Sequence, residues 1–353
     1  MRRPPFPLLA MALALSAVAL VHAADDLVLT RFGEYLDALR VQAGIPGLAA
    51  AIVGPTDVTW EGAFGQQDVD RNIATRLFTP FQLDGTTQTI VASLAVRCAS
   101  DGWLSLDDRV SKYQPNSPDA AATIGQLLTH TTAGPAGLTF SYRPERLAPV
   151  AAAIAGCTDS SFRWGIGAVL EKIAMFDSVP GADVVQLTAP AEAFSASALQ
   201  RYAGTVRSLA TPYAVDSRGR ATASSYVANT LTPASGLIST VRDLEQFDLS
   251  LKSGFLLRPE WRTFALTPPN DAGGSPLPHA YGWFVQVYNG GRVAWQYGVS
   301  DNASSSMIVT LPQRGVTLIL LANSQGLVRP FNLSAGDVTV SPFARLFLSV
   351  FVR

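Results

Sequence analysis

The chain has 353 residues, of which 48% are hydrophobic and only 15% charged, with a formal net charge of −1. That balance supplies apolar surface for a large core, lacks the basic footprint of a nucleic-acid binder, and places its Cys and His residues in no spacing that suits a metal ligand set. The length suits one large domain or two interleaved subdomains.

Arg2 and Arg3 precede an apolar run from Pro7 to Val21, and Val21-His22-Ala23 resembles a small-residue cleavage site. Residues 1–23 are therefore expected to be a signal peptide. The run is short for a membrane span, so no stable span is expected after cleavage. Loss of Arg2 and Arg3 takes the formal charge from −1 to −3. The mature chain, 24–353, is expected to be periplasmic or secreted. Export permits a disulfide between Cys98 and Cys157, and spacing leaves two separate buried thiols equally open.

From Asp25 to Ala43, Leu27, Phe32, Leu36 and Leu39 recur at helical spacing, and Gly44-Ile45-Pro46-Gly47 ends the helix. Leu48–Val53 and Val58–Phe64 read as strands joined by a Gly-Pro turn. Helices are expected over Thr86–Ser100, Ile124–His130, Pro144–Ala155, Gly167–Met175 and Arg242–Leu251, with Phe176–Pro233 read as loop. Strand patterns return at Tyr281–Tyr288, Arg292–Gln296, Ser305–Leu311 and Val316–Ala322, before an apolar helix over Pro342–Phe351. Strands at both ends of the chain imply one antiparallel sheet interrupted by a helical insert. The expected division is a sheet subdomain from 24–65 and 235–353 and a helical subdomain from 66–234.

Four ordered stretches carry a family resemblance. They are Gly44-Ile45-Pro46-Gly47; Phe78-x-Pro80-x-x-Leu83; the pair Gly102–Asp108 and Ile124–Thr131; and Ser235–Leu244. In this order they resemble the serine β-lactamase, penicillin-binding protein and esterase family, particularly its class C-like branch. The resemblance implies an α+β, β-lactamase/transpeptidase-like fold, with an antiparallel sheet flanked by N- and C-terminal helices. It also implies an acylated Ser at a helix start, a Lys one turn later, a Tyr across the cleft, and a Lys/His-x-Gly strand.

Laid on that pattern, the Ser position holds Gly85, the Lys position Gln88, and His-x-Gly becomes Gln296-Tyr297-Gly298; a shift of one residue would place Tyr297 there instead. Tyr142 is retained in Tyr142-Arg143-Pro144. The resemblance thus yields no catalytic residue beyond Tyr142, and a candidate ligand pocket of Gly85, Gln88, Tyr142, Gln296, Tyr297 and Gly298. Nearby hydroxyls do not substitute easily, because each helical step rotates a side chain by about 100°. Asp84, Thr86 and Thr87 read as capping residues and Thr89 as one turn deeper. Lys112 and Lys172 read as solvated, His130 as structural and His279 as exposed in a loop. The expectation is a non-catalytic binding or regulatory relative that takes a cell-wall peptide, ester or amide ligand, or an envelope protein, with no cofactor or metal. The alternative is an esterase, β-lactamase or D-Ala-D-Ala carboxypeptidase with rewired residues.

Overall fold

The computed structural model describes residues 27–186, 194–227, 230–329 and 331–352. The leader expected over 1–23 lies outside the described residues. Helix α1 (27–42) buries Phe32 and Leu36, one turn apart, and Gly44 ends it at φ +66°, a conformation glycine adopts without a Cβ penalty.

Strands β1 (Gly47–Val53) and β2 (Val58–Asp68) follow as an antiparallel pair, and β3 (Ile73–Ala74) adds to the edge of β2. A short strand, β4 (Phe81–Gln82), leads through a 3-10 turn at Asp84–Thr86 into α2 (Thr87–Ser100). The helical region then contains α3 (Ile124–Leu128), a hairpin of β5 (Thr131–Gly134) and β6 (Gly137–Phe140), α4 (Val150–Thr158), α5 (Phe162–Lys172) and β7 (Val179–Pro180). It continues with α6 (Ala196–Arg207), a hairpin of β8 (Tyr213–Val215) and β9 (Ala221–Ala223), and β10 (Leu237–Ser239). After α7 (Val241–Lys252) and α8 (Pro259–Ala265) come β11 (Phe284–Tyr288), β12 (Gly291–Ser300), β13 (Ser304–Leu311), β14 (Val316–Ala322) and α9 (Pro342–Phe351).

The main sheet has seven strands in the order β11-β12-β13-β14-β1-β2-β3, each pair antiparallel. The first strands of the chain thus lie beside the last, as the strand pattern at both ends implied. Strand β1 is buried along its whole length, and its residues divide between two cores. Leu48, Ala50 and Ile52 join Phe32, Phe343 and Phe347 on the side of α1 and α9. Ala49, Ala51 and Val53 join Ile90, Leu94 and Phe247 on the side of α2 and α7. The period-2 alternation of a strand accounts for this division.

Several elements depart from the sequence reading, among them α8, which it did not expect, and α4, which starts at Val150 and not Pro144. The stretch taken as loop from Phe176 to Pro233 contains α6 and the β8–β9 hairpin. In α6 the buried positions are Ala198, Tyr202 and Thr205, a face too weakly apolar to announce a helix. The end of the segment read as a helix over Ile124–His130 turns into the β5–β6 hairpin, because His130 takes a left-handed conformation at φ +53° that no helix continues through.

Cys98 on α2 and Cys157 on α4 form a disulfide with their Cα atoms 6.0 Å apart, which resolves the open choice between a bridge and separate thiols. Among the described residues no helix is long and apolar enough to cross a membrane.

Candidate functional site

The β4–α2 junction places Gly85 against strand β12. A Cβ built on Gly85 would fall inside the van der Waals shell of the Tyr297 carbonyl oxygen and 3.3 Å from the Gly298 Cα. A Cβ on Gly298 would in turn run into the Leu83 carbonyl oxygen and sit 2.6 Å from the Gly85 amide nitrogen. Two glycines therefore let the helix start and the strand meet backbone to backbone. The space that a side chain at either position would need is already filled.

The other expected residues also converge, but as a packed cluster. Gln88 is 2% exposed, Gln296 0% and Tyr297 8%. Gly85 and Tyr142 are partly exposed, so the cluster lies with its two glutamines buried and its Gly85 and Tyr142 edge toward the surface. Alternation along β12 puts Gln296 and Gly298 on the face toward α2, while Tyr297 turns its ring to the opposite core beside Trp295 and Phe284. Of the two alignments open in the sequence, Gln296 accepts a hydrogen bond from Tyr142, whereas Tyr297 meets Tyr142 only ring to ring at 5.6 Å.

One directed chain of hydrogen bonds links this core. The Arg143 amide donates to His130 Nδ1 at 3.2 Å, so that nitrogen is the acceptor and Nε2 carries the proton. His130 Nε2–H donates to Gln88 Oε1 at 2.9 Å. Gln88 Nε2 donates to the Tyr142 hydroxyl oxygen at 2.9 Å, and the Tyr142 hydroxyl donates onward to Gln296 Oε1 at 3.4 Å. Gln296 Nε2 donates to the Gly282 carbonyl at 3.2 Å and approaches His279 Nε2 at 3.5 Å. His279 Nδ1–H finally donates to the Ala280 carbonyl at 2.6 Å. Each side chain's orientation is fixed by the next, as a buried polar network requires if its groups are not to be left unsatisfied.

Burial also sets the charge state. Burial pushes the His130 imidazolium pKa down to about 4, with the Arg143 amide bond and nearby charges as smaller influences. It holds His279 well below the ordinary histidine range, and the neighbouring His130 adds to the effect. The Tyr142 phenol is pushed far above its usual range by burial, then by the neighbouring Tyr297. These shifts favour the uncharged form of each ring at neutral pH. The rings pack closely: His130 lies 4.6 Å from both Tyr142 and His279, centroid to centroid, tilted against the first and edge-on to the second.

Sequence reasoning missed half of this arrangement. His279, expected to be exposed, is 0% exposed. Its burial comes from packing against nearby Phe284 and against Phe140 and Tyr142, which are remote in sequence. His130 is buried and bonded to Gln88, a contact the sequence does not announce; Leu127 and Leu128 just before it are the only hint of burial.

The helix-start hydroxyls do not cap. Asp84, expected as an N-cap, is buried at φ +48° and accepts a hydrogen bond from Ser304 Oγ at 2.7 Å. Burial raises its pKa to about 7, against the opposing bond from Ser304. Thr86 pairs with Ser306 across 2.7 Å, and Ser306 donates to the Leu83 carbonyl at 2.6 Å. Thr87 accepts the Leu237 amide at 3.4 Å, and Thr89 donates to the Thr86 carbonyl at 2.9 Å. Strand β13 comes close enough to fasten Asp84 and Thr86, and β10 to fasten Thr87, in place of helix caps. Lys112 is exposed and paired with Asp108 at 2.8 Å, whereas Lys252 is buried against Asp248 at 2.5 Å, on α7. Among the described residues no group of three or more His, Cys, Asp or Glu side chains could hold a metal ion.

The sheet, its two helical layers and the β4–α2 junction define the transpeptidase-like α+β class. The chain belongs to the beta-lactamase family, whose model matches residues 31–336. Among curated proteins it is similar to Protein flp of Staphylococcus aureus (strain COL), 30% identical over 122 residues, and the match spans 32% of this chain and only 24% of that protein. Among solved structures it is similar to the octameric penicillin-binding protein homologue from Pyrococcus abyssi, with a TM-score of 0.68, 18% identity and coverage of 84% of this chain and 74% of that one. A class C beta lactamase from Rhodobacter sphaeroides matches with a TM-score of 0.67 and 15% identity over 92% of this chain and 99% of its own. The D-amino acid amidase from Ochrobactrum anthropi SV3 matches with a TM-score of 0.67 and 17% identity over 91% and 98%. At these identities the structural matches speak for the fold alone.

Proposed function

We propose that this chain is a non-catalytic member of its family, exported to the periplasm or secreted, that acts by binding or regulation. The observation that carries the reading is the backbone contact at Gly85. Where the family's mechanism needs an attacking hydroxyl, there is no side chain and no room for one. Gln88 and Gln296, at the positions of proton-handling groups, spend their amides on Tyr142, His130 and Gly282. The disulfide between Cys98 and Cys157 supports an oxidising compartment. The ligand classes that suit the family resemblance are cell-wall peptides, esters and amides, or an envelope protein partner. The amides of Gln88 and Gln296 are already committed within the cluster, so recognition falls to the surface around it.

The test is covalent labelling of the purified chain with a fluorescent penicillin and with a fluorophosphonate, followed by chromogenic cephalosporin and ester turnover. No adduct and no turnover above buffer are expected. A stable adduct on the folded protein would overturn the reading.

One observation favours a second reading. Asp84, next to Gly85, holds a carboxyl whose pKa of about 7 suits an acid–base role. Under that reading turnover exists and is abolished by Asp84→Asn.

A further inference from the structure

We propose that a cavity on other elements of the fold binds a hydrophobic carboxylate, an amphiphile with an apolar body and a single anionic head. The cavity has a volume of about 830 Å³ and lies between the end of α1, the β8–β9 hairpin, the segment after β14 and the start of α9. That volume falls within the range typical of small-molecule sites.

The walls are apolar on several sides: Leu39 and Ala43 from α1, Val215 from β8, Phe331, and Phe343 from α9. The charged groups at its edge are unbalanced toward the positive. Asp216 is already occupied by the Arg220 guanidinium at 2.7 Å and by the Arg218 and Arg220 amides, and these bonds hold its carboxyl below the usual range. Arg329 pairs with Asp301 at 2.7 Å. Arg345 lines the cavity and forms no ion pair among the described residues. A guanidinium presents a planar fork of donors that suits a carboxylate, and an apolar wall beside it suits the rest of the molecule.

The floor is preformed. The 3-10 turn Gln325–Leu327 is pinned by Ser305, whose hydroxyl donates to the Ser324 carbonyl and accepts the Leu327 amide at 3.2 Å. Gln325 Oε1 accepts the Asn302 amide at 3.1 Å, which leaves its NH2 group unused by that bond. The cavity therefore exists before any ligand arrives, and little ordering cost opposes binding.

The experiment is calorimetric titration of the full chain with dodecanoate and with 1-dodecanol, each below its aggregation concentration, on the native protein and on Arg345→Gln. Dodecanoate is expected to saturate at one site per chain. The alcohol, and dodecanoate on Arg345→Gln, are expected to bind at least about tenfold more weakly, the loss of one charge-assisted bond. An unchanged melting temperature of Arg345→Gln will show that the fold is intact. Equal binding of the alcohol, equal binding by Arg345→Gln, or no saturable binding of dodecanoate would each overturn the proposal. Because the cavity does not include Gly85 or Gln88, its failure would leave the reading of the relict centre untouched.

Discussion

At the scale of single residues, glycine at position 85 is a packing requirement as much as a lost nucleophile. The helix start and β12 are in contact through backbone atoms, so any Cβ there must push the strand away. Gly85→Ser is therefore expected to destabilise the fold by about 1–3 kcal/mol, as overpacking of a close-packed site does, without gaining acylation. Urea unfolding of the variant beside the native chain measures the first part, and fluorescent penicillin the second. A variant of native stability would mean that the contact is looser than the structure has it.

At the scale of elements, α2 is the organising piece. Almost every residue from Thr87 to Val96 is buried, so its position is set by all its neighbours at once. Its far end is tied to α4 by the Cys98–Cys157 bridge, which closes a sequence separation of 59 residues. A loop of that size constrains the unfolded chain by about 4 kcal/mol in the chain-entropy account. Cys98→Ser together with Cys157→Ser is expected to lose most of that, seen as a lower denaturation midpoint. Reductant should have the same effect on the native chain and none on the double variant.

At the scale of the whole molecule, buried titratable groups shape the pH profile of stability. His130 has a folded pKa of about 4, below its ordinary 6.5, and His279 shifts the same way. Their contribution is present above pH 6.5 and is lost as pH falls toward 4. Asp84 and Asp243 are raised from 3.8 to about 7, and Glu245 is also raised, burial being the largest cause in each. Their contribution is present below their unfolded values and is lost as pH rises through about 7 for the two aspartates and about 8 for Glu245. The two trends oppose each other between pH 4 and 6.5, and only the carboxyl loss remains above that. The melting temperature is therefore expected to peak on the acid side of neutrality and to fall from pH 6.5 to 8. Asp84→Asn, which keeps an acceptor for Ser304, should flatten that alkaline limb. Scanning calorimetry across pH 4–8 checks both, and a profile still rising between pH 7 and 8 would contradict them.

Much of the architecture was legible in the order of residues. The apolar runs of Leu48–Val53 and of Val316–Ala322, and the helical spacing of Phe32 and Leu36, declare local structure because backbone periodicity and apolar burial act over a few residues. The identity of Gly85, Gln88 and Gln296 was likewise visible, since motif order needs no coordinates. The state of the centre was not. Whether those residues line an open hollow or fill it depends on how closely β12 approaches α2, a distance measured between segments some two hundred residues apart. The same holds for His279, buried in part by Phe140 and Tyr142 from a distant segment, and for Asp84, drawn inward by a serine of β13 instead of capping its own helix. Sequence determined which chemical groups were available and which layers they would join. Tertiary packing decided which of them see water, because burial is a property of what surrounds a residue and not of the residue itself.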